Sequence, residues 1–414
     1  MASLSFTDKD LQDIKEKFEK EPNKFSDLNN IFFKDKCKFF ERIEKESFLE
    51  GEEFMKIYDF LKKLALNIEN TLKVDDLPIL KTNSKNKKIE LTRKQVALLF
   101  LLSFFNCIPF EYTNRFKVYY ILSLDNAGFQ FGRCFLNYLT TIGKWLREEN
   151  QILEEKIIYI RNNIDNSEEY LKENVDLCEI KFDEENSMFD GDGSYHVDFA
   201  NKRIGGGALT GGRVQEEILF ANEPEAIISM LFMEPMSDND AIGIFNTIEY
   251  SKSSGYSNSF KFIESAISDD LSKIKKHRII AIDASINKSF FDYFFKNNND
   301  IKRDIHKAYV GFNLINLEEN NNIEKTIVTG NWGCGAFGGN HELKFIQQWI
   351  AASFAGVKRL DYYTFKDKKM KNAVKFYEEI KKKYEKALVL YKALLLNKID
   401  EKYIIVSLIK TKIK

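Results

Sequence analysis

Two carboxyl groups stand side by side in Gln215-Glu216-Glu217, seven residues after the glycine triplet Gly205-Gly206-Gly207. Neighbouring acids of this kind can hold or move a proton. An apolar run carrying one more acid, Val197-Asp198-Phe199-Ala200-Asn201, precedes the triplet. A strand that leads into glycines and then into a helix points backbone N–H groups at whatever binds there, and the helix start favours phosphate or carboxylate. Spacing alone favours a plainer reading, in which two acids in a first helical turn complement the macrodipole.

A second glycine-dense segment shifts that balance. Thr329-Gly330-Asn331-Trp332-Gly333-Cys334-Gly335-Ala336-Phe337-Gly338-Gly339 also lies between a strand pattern and a helix pattern. It is too rich in glycine for a mere connection, and it places a second row of amides near a second helix start. Two such loops on one sheet suit a ligand with a pyrophosphate and two sugars. Tyr256, in Ser253-Ser254-Gly255-Tyr256, sits where its ring could stack on a base, although a loop tyrosine is more often a packing residue. Phe337 is hard to explain as core, because its glycine neighbours have no side chains to pack with it.

The elements that must position these residues follow from the distribution of glycine. Ten of the twenty glycines fall between Gly205 and Gly212 or between Gly330 and Gly339, and residues 1–170 hold only four. Apolar spacing in that first part is mostly helical, as in Phe54-Ile57-Tyr58-Leu61-Leu64 and Val96-Leu99-Phe100. From about 178 to 365, β-like runs alternate with helical ones. Strands are predicted at Glu179–Phe182, His196–Phe199, Ala241–Glu249, Arg278–Ile282, Lys325–Thr329 and Asp361–Phe365. Helices are predicted at Glu223–Phe232, Ile301–Tyr309 and His341–Ala355, the last with a core stripe of Leu343, Ile346, Ile350 and Phe354. After Phe365 the chain reads as helical and lysine-rich. Its apolar face runs through Tyr377, Ile380, Tyr384, Ala387, Leu388, Tyr391, Leu394 and Leu395, and the lysines read as a solvated face. The polar runs 296–300 and 318–322 read as surface loops.

Composition removes several classes of function. With 62 basic and 63 acidic residues, no overall cationic field draws the chain to DNA or to an anionic membrane. Five scattered cysteines without CxxC spacing read as free thiols in a reducing compartment. Four histidines, none in an HxxxH arrangement, give a metal site little support. The N-terminus turns acidic within ten residues and offers no secretory apolar region, so the protein is expected in the nucleus or cytoplasm and not secreted. The most apolar stretch, Val96–Phe105, has about half of the ~20 residues needed to span a bilayer.

The glycine triplet, the seven-residue spacer and Gln215-Glu216-Glu217 resemble the signature of poly(ADP-ribose) glycohydrolases, and Asn331 through Gly339 is similar to that family's second ligand loop. The likeness extends to Val197–Asn201, to Glu223-Pro224-Glu225 with the residues after it, to Ile280–Ala284, to Ala308–Phe312 and to Leu91-Thr92 through Phe105. It covers roughly residues 90 to 370 in order, and the long form with a helical accessory region is the better match.

This resemblance implies an α/β (α+β) fold, a macrodomain-like mixed sheet between helices. The expected organisation is a helical accessory region at 1–175, a catalytic domain at 176–370 and C-terminal helices at 371–414 packed on it. Glu217 would protonate the leaving ribose oxygen, Glu216 would hold ribose hydroxyls and Asp198 would be a third acid. Gly205, Gly206 and Gly207 would border the ligand, Asn201 would contact the ribose beside the scissile bond, and Gln215 would help fix the ligand. The loop Asn331, Trp332, Gly333, Cys334, Gly335, Ala336, Phe337 would wrap the diphosphate, with Tyr256 and Phe365 flanking the adenine. No metal or cofactor is implied. The partners would be poly(ADP-ribose) and poly-ADP-ribosylated proteins, met by a monomer with no membrane or direct DNA contact. One departure stands out: the family's acid for the adenine amino group has no counterpart in Ser187-Met188-Phe189-Asp190 unless Asp190 substitutes after a register shift. Adjacent acids diverge, so a single acid/base acting twice fits better than a pair on opposite faces of a sugar. The rival readings are an ADP-ribose reader without catalysis and a mono-ADP-ribosyl hydrolase.

Overall fold

The computed structural model describes residues 3–410 except 5, 35–36, 47, 74–76, 110–115, 117, 119–121, 123–124, 166–167, 192–194, 287–297, 319–322 and 397–403. Eight strands make one mixed sheet: β1 (Lys87–Thr92), β2 (Lys156–Asn163), β3 (Glu179–Asp183), β4 (Tyr195–Asp198), β5 (Asp240–Ile248), β6 (Lys276–Ala281), β7 (Thr326–Gly330) and β8 (Arg359–Tyr363). Their spatial order is β1-β2-β5-β6-β4-β7-β8-β3. The first four in that order pair antiparallel and the rest, from β6 to β3, pair parallel. The longer helices are α1 (Asp8–Phe18), α2 (Leu49–Leu66), α3 (Arg93–Phe104), α4 (Asn126–Arg147), α5 (Gln215–Asn222), α6 (Asn298–Phe312), α7 (His341–Ala355), α8 (Lys371–Tyr384) and α9 (Ala387–Leu396). Among the described residues, no helix is long and apolar enough to cross a membrane.

The period of two along each strand divides the interior into two cores. On β6, Ile279 and Ala281 join α2, α3, α4 and α5 on one face, while Ile280 joins α6 and α7 on the other. Tyr195 and Val197 of β4 point into the second core. His196 and Asp198, the alternate residues, therefore face the first, where α5 lies. This parity sets Asp198 beneath the acids of α5.

All six predicted strands form, each within two residues of its expected bounds, and His341–Ala355 forms as read. Three readings are corrected. Residues 87–92 and 156–163, expected within a helical region, form β1 and β2, and Ile157 and Tyr159 alternate with Ile158 and Ile160 between the two cores. The predicted helix Glu223–Phe232 is a 3-10 turn, Pro224–Ile228, followed by one helical turn, Ser229–Phe232. Proline disfavours helical geometry in the residue before it, and Glu223 sits at φ −123°. Residues 298–300, read as a loop, open α6; 296–297 and 319–322 lie outside the described residues. In the C-terminal helices, Tyr377, Ile380, Tyr384, Ala387, Tyr391 and Leu394 are buried in the second core.

Candidate active site

The strand end, the first glycine loop and α5 form one hydrogen-bonded unit. Gln215 clamps the end of β4: its Oε1 accepts from Phe199 N–H at 2.8 Å and its Nε2 donates to the Val197 carbonyl at 3.1 Å. Both ends of its amide thus bond to the backbone, which fixes the strand end, and Gln215 also lines the cleft onto which both glycine loops open. Glu216 accepts from Gly205 N–H at 2.7 Å and from Asn201 N–H at 2.9 Å. Glu217 accepts from Gly207 N–H at 2.9 Å and from Val214 N–H at 2.8 Å. The loop curls around both carboxyl groups, and glycine is required where it comes closest. A Cβ on Gly206, whose φ is +44°, would lie 2.5 Å from Glu216 Oε2 and 2.7 Å from Glu217 Oε1.

Asp198 is fully buried, and neither of its carboxyl oxygens has a hydrogen-bond partner among the described residues. Burial first, and then the Glu217 carboxylate, hold its pKa well above the usual carboxylate range. Glu216 is also raised well above that range, by burial, Asp198 and Glu217, against the pull of the Asn201 and Gly205 amides. Asp198 and Glu216 are thus both held toward their protonated forms.

Both glycine loops open onto a single cleft of about 510 Å³. Its lining includes Asn201, Gly206, Gly207, Gln215, Glu216 and Glu217 from the first, and Asn331 through Phe337 from the second. Asp198 and Gly205 do not line it. They lie behind the acids, and Gly205 is packed on Met230. In the second loop, Cys334 N–H bonds to the Asn331 carbonyl and Gly339 N–H to the Gly333 carbonyl. Among the described residues, the N–H groups of Gly335, Ala336 and Phe337 donate to no protein acceptor. Three successive free amides on a cleft wall make an anion cradle. A Cβ on Gly335 would meet no protein atom within 4 Å, which leaves room for a ligand to approach the backbone.

Two residues of this loop act differently from expectation. The Trp332 indole is wholly buried, and its N–H bonds to the Ile282 carbonyl at 2.9 Å, so it anchors the loop to the core. Asn331 Nδ2 bonds to the Thr364 carbonyl at 2.9 Å and ties the loop to the segment carrying Phe365.

Aromatic side chains border the mouth. Tyr256 is carried on the turn of a hairpin formed by Ser251–Ser254 and Lys261–Ser265, and it meets Phe365 with ring centroids 6.1 Å apart. Both are exposed, and Phe365 holds a left-handed φ of +55°, unusual for a bulky residue. The Tyr256 ring is exposed while its hydroxyl end is partly buried, and that burial first and then the Glu217 charge across the cleft raise its pKa. Ser187, Met188 and Phe189 line the cleft as well, whereas Asp190 is exposed and does not. The register shift that would bring in Asp190 is not seen.

His341 and Asp367, which sequence reasoning missed, lie on the cleft wall and pair at 2.9 Å. Burial lowers the His341 pKa despite Asp367, so the imidazole is neutral at pH 7. The signal was available: a rare histidine directly follows the second glycine loop at a helix start. Among the described residues, no cluster of three His, Cys, Asp or Glu side chains is placed to hold a metal ion.

Comparison with known proteins bears on this arrangement. Residues 167–372 match the family model described as poly(ADP-ribose) glycohydrolase, Macro domain fold, and residues 41–161 match that of the same family's helical domain. The chain is similar to two proteins of Arabidopsis thaliana. One is probable poly(ADP-ribose) glycohydrolase 2, at 29% identity over 56% of this chain and 52% of that protein. The other is poly(ADP-ribose) glycohydrolase 1, at 32% identity over 49% and 48%. It is also 38% identical to poly(ADP-ribose) glycohydrolase 1 of Caenorhabditis elegans over 43% of this chain and 24% of that protein. The chain thus spans about half the length of the Arabidopsis relatives. With the helical and macrodomain parts matched in order along one continuous sheet, the chain belongs to the poly(ADP-ribose) glycohydrolase family.

Proposed function

We propose that this chain hydrolyses the ribose–ribose O-glycosidic bonds of poly(ADP-ribose) and releases ADP-ribose, with Glu217 as general acid and base. One observation carries the reading: the Glu217 carboxyl and the free amides of Gly335, Ala336 and Phe337 line the same cleft. A diphosphate on those amides would set the attached ribose against the acids. Glu217 protonates the departing ribose oxygen, the glycosidic C–O bond breaks, and an oxocarbenium-like ribose forms. A water then adds to that carbon and gives its proton to Glu217, which restores the acid. The bound diphosphate stabilises the cation in between.

Glu216, fixed on the Asn201 and Gly205 amides, holds ribose hydroxyls, and Asn201 contacts the same sugar. Asp198 supports the pair from behind as a third acid. Tyr256 and Phe365 flank the adenine. The substrates in the cell are poly-ADP-ribosylated proteins of the nucleus or cytoplasm, met by a monomeric enzyme.

The test is to incubate the protein with poly(ADP-ribose) and measure free ADP-ribose, with Glu217→Gln as control. Release is expected from the wild type and about 10²–10⁴-fold slower release from the variant. Comparable release by both would remove Glu217 from its role, and binding without release by either would make the protein a reader.

A further inference from the structure

Beyond Phe365 the chain carries a compact group of lysines: Lys366, Lys368, Lys369, Lys371 and Lys375, all exposed. Lys369 and Phe365 line the cleft, so the group begins at its mouth and runs onto the first turns of α8. The acid within this stretch, Asp367, is engaged with His341. Lys366 lies 3.4 Å from the exposed Glu185. The other four make no ion pair among the described residues.

Over the whole chain the charges balance, with 62 basic against 63 acidic residues. Here five lysines between residues 366 and 375 stand against one acid, Asp367, and no further acid follows until Glu378 and Glu379 along α8. Lys371 and Lys375 stand one turn apart and share a face. They also stand at the end of α8 where the helix dipole is positive and where no acid occupies the first turn. Cations at that end are disfavoured unless an anion is nearby. A solvated face would gain more from the opposite arrangement.

We propose that this strip is a second anion-binding surface, which receives the poly(ADP-ribose) units that lie beyond the adenosine of the unit held in the cleft. The proposal rests on the glycohydrolase reading of the site and extends it to the choice of bond. In the polymer, the adenosine ribose of every unit but the last carries the next unit, with its two phosphates, on its 2′-oxygen. When the adenine sits between Tyr256 and Phe365, any such continuation leaves the cleft at the mouth where the lysines begin. A chain end has no continuation there. Filling the strip therefore corresponds to cutting an internal bond and releasing a fragment longer than one unit.

The experiment compares the wild type with K368E/K371E/K375E and with the matching Lys→Arg triple variant, leaving Lys369 in the cleft untouched. Acids at the start of α8 complement its dipole, so the melting temperature is expected to hold or rise and a defect would not come from misfolding. On an oligomer of two ADP-ribose units, all three proteins should turn over alike. On long polymer, the reversed variant should release single ADP-ribose and lose the early longer fragments. In the Glu217→Gln background, its affinity for long polymer should fall at least tenfold, and the slope of log affinity against log salt should drop by about two, from three lost phosphate contacts at roughly 0.7 each. The Arg variant should match the wild type. Unchanged affinity, salt slope and fragment lengths in the reversed variant would overturn the strip while leaving the cleft's function intact. A wild type that fails to cut even the two-unit oligomer would overturn the reading of the cleft itself.

Discussion

Three carboxyl groups, those of Asp198, Glu216 and Glu217, are buried side by side, and the fold treats each differently. Glu216 and Glu217 each receive two backbone N–H groups, and Asp198 receives none among the described residues. Since the folded-state pKa of Asp198 is raised, the native protein keeps a proton that the unfolded chain releases above about pH 4. Stability from this group is therefore whole below about pH 4 and falls as pH climbs toward the raised value. Replacing it with asparagine removes the slope. The melting temperature of Asp198→Asn, relative to wild type, should improve between pH 4 and pH 7 in paired thermal melts, while activity drops. A pH-independent difference would show that Asp198 ionises freely. The adjacent acids were legible as a pair because they are neighbours in the chain. The third was placed by resemblance alone, since its burial depends on strand parity and on α5 packing over it. Trp332 illustrates the opposite error: its position in a ligand loop hid that the indole is anchored to the Ile282 carbonyl.

Among the elements, the join between α3 and the segment after α5 matters most. Arg93, at the start of α3, bonds to Glu225 at 2.7 Å, and both side chains are fully buried. Glu225 also accepts from the Tyr250 hydroxyl at 2.6 Å and from Ile248 N–H at 3.0 Å. Arg93 in turn reaches the Asn246 carbonyl at 3.0 Å. Removing Glu225 leaves the buried Arg93 only the longer ion pair to Glu155 at 3.5 Å, so Glu225→Ala should cost about 3–5 kcal/mol, read by denaturant titration. A loss under 1 kcal/mol would mean that water reaches the site and solvates Arg93. Strands were legible where β-branched residues concentrate, as Ile242, Ile244, Thr247 and Ile248 in β5, Ile279 and Ile280 in β6, and Thr326, Ile327, Val328 and Thr329 in β7. β1 and β2 were not, because their flanks look helical and carry few glycines.

On the scale of the whole molecule, the helical part and the macrodomain part share a sheet: β1 and β2 continue it beyond β5. A chain truncated to residues 176–414 would expose the edge of β5 and leave Glu225 without Arg93. It should fail to give a cooperative melt, whereas the full chain should unfold in one transition by calorimetry. A truncated chain that melted sharply and kept its activity would show that the two parts stand alone. The matter was hidden in the sequence, since composition divides the chain near residue 175 while hydrogen bonding does not. The two walls of the cleft also have separate foundations. The acids ride on α5, seated in the first core through Ile218, Leu219 and Phe220, and the amide cradle rests on Trp332 and Leu343 in the second. The gap between them is a calliper whose jaws are mounted on opposite sides of one plate. Slackening of either mounting would change the span before the plate itself gives way, so on gradual heating turnover should fade several degrees below the temperature at which the chain unfolds.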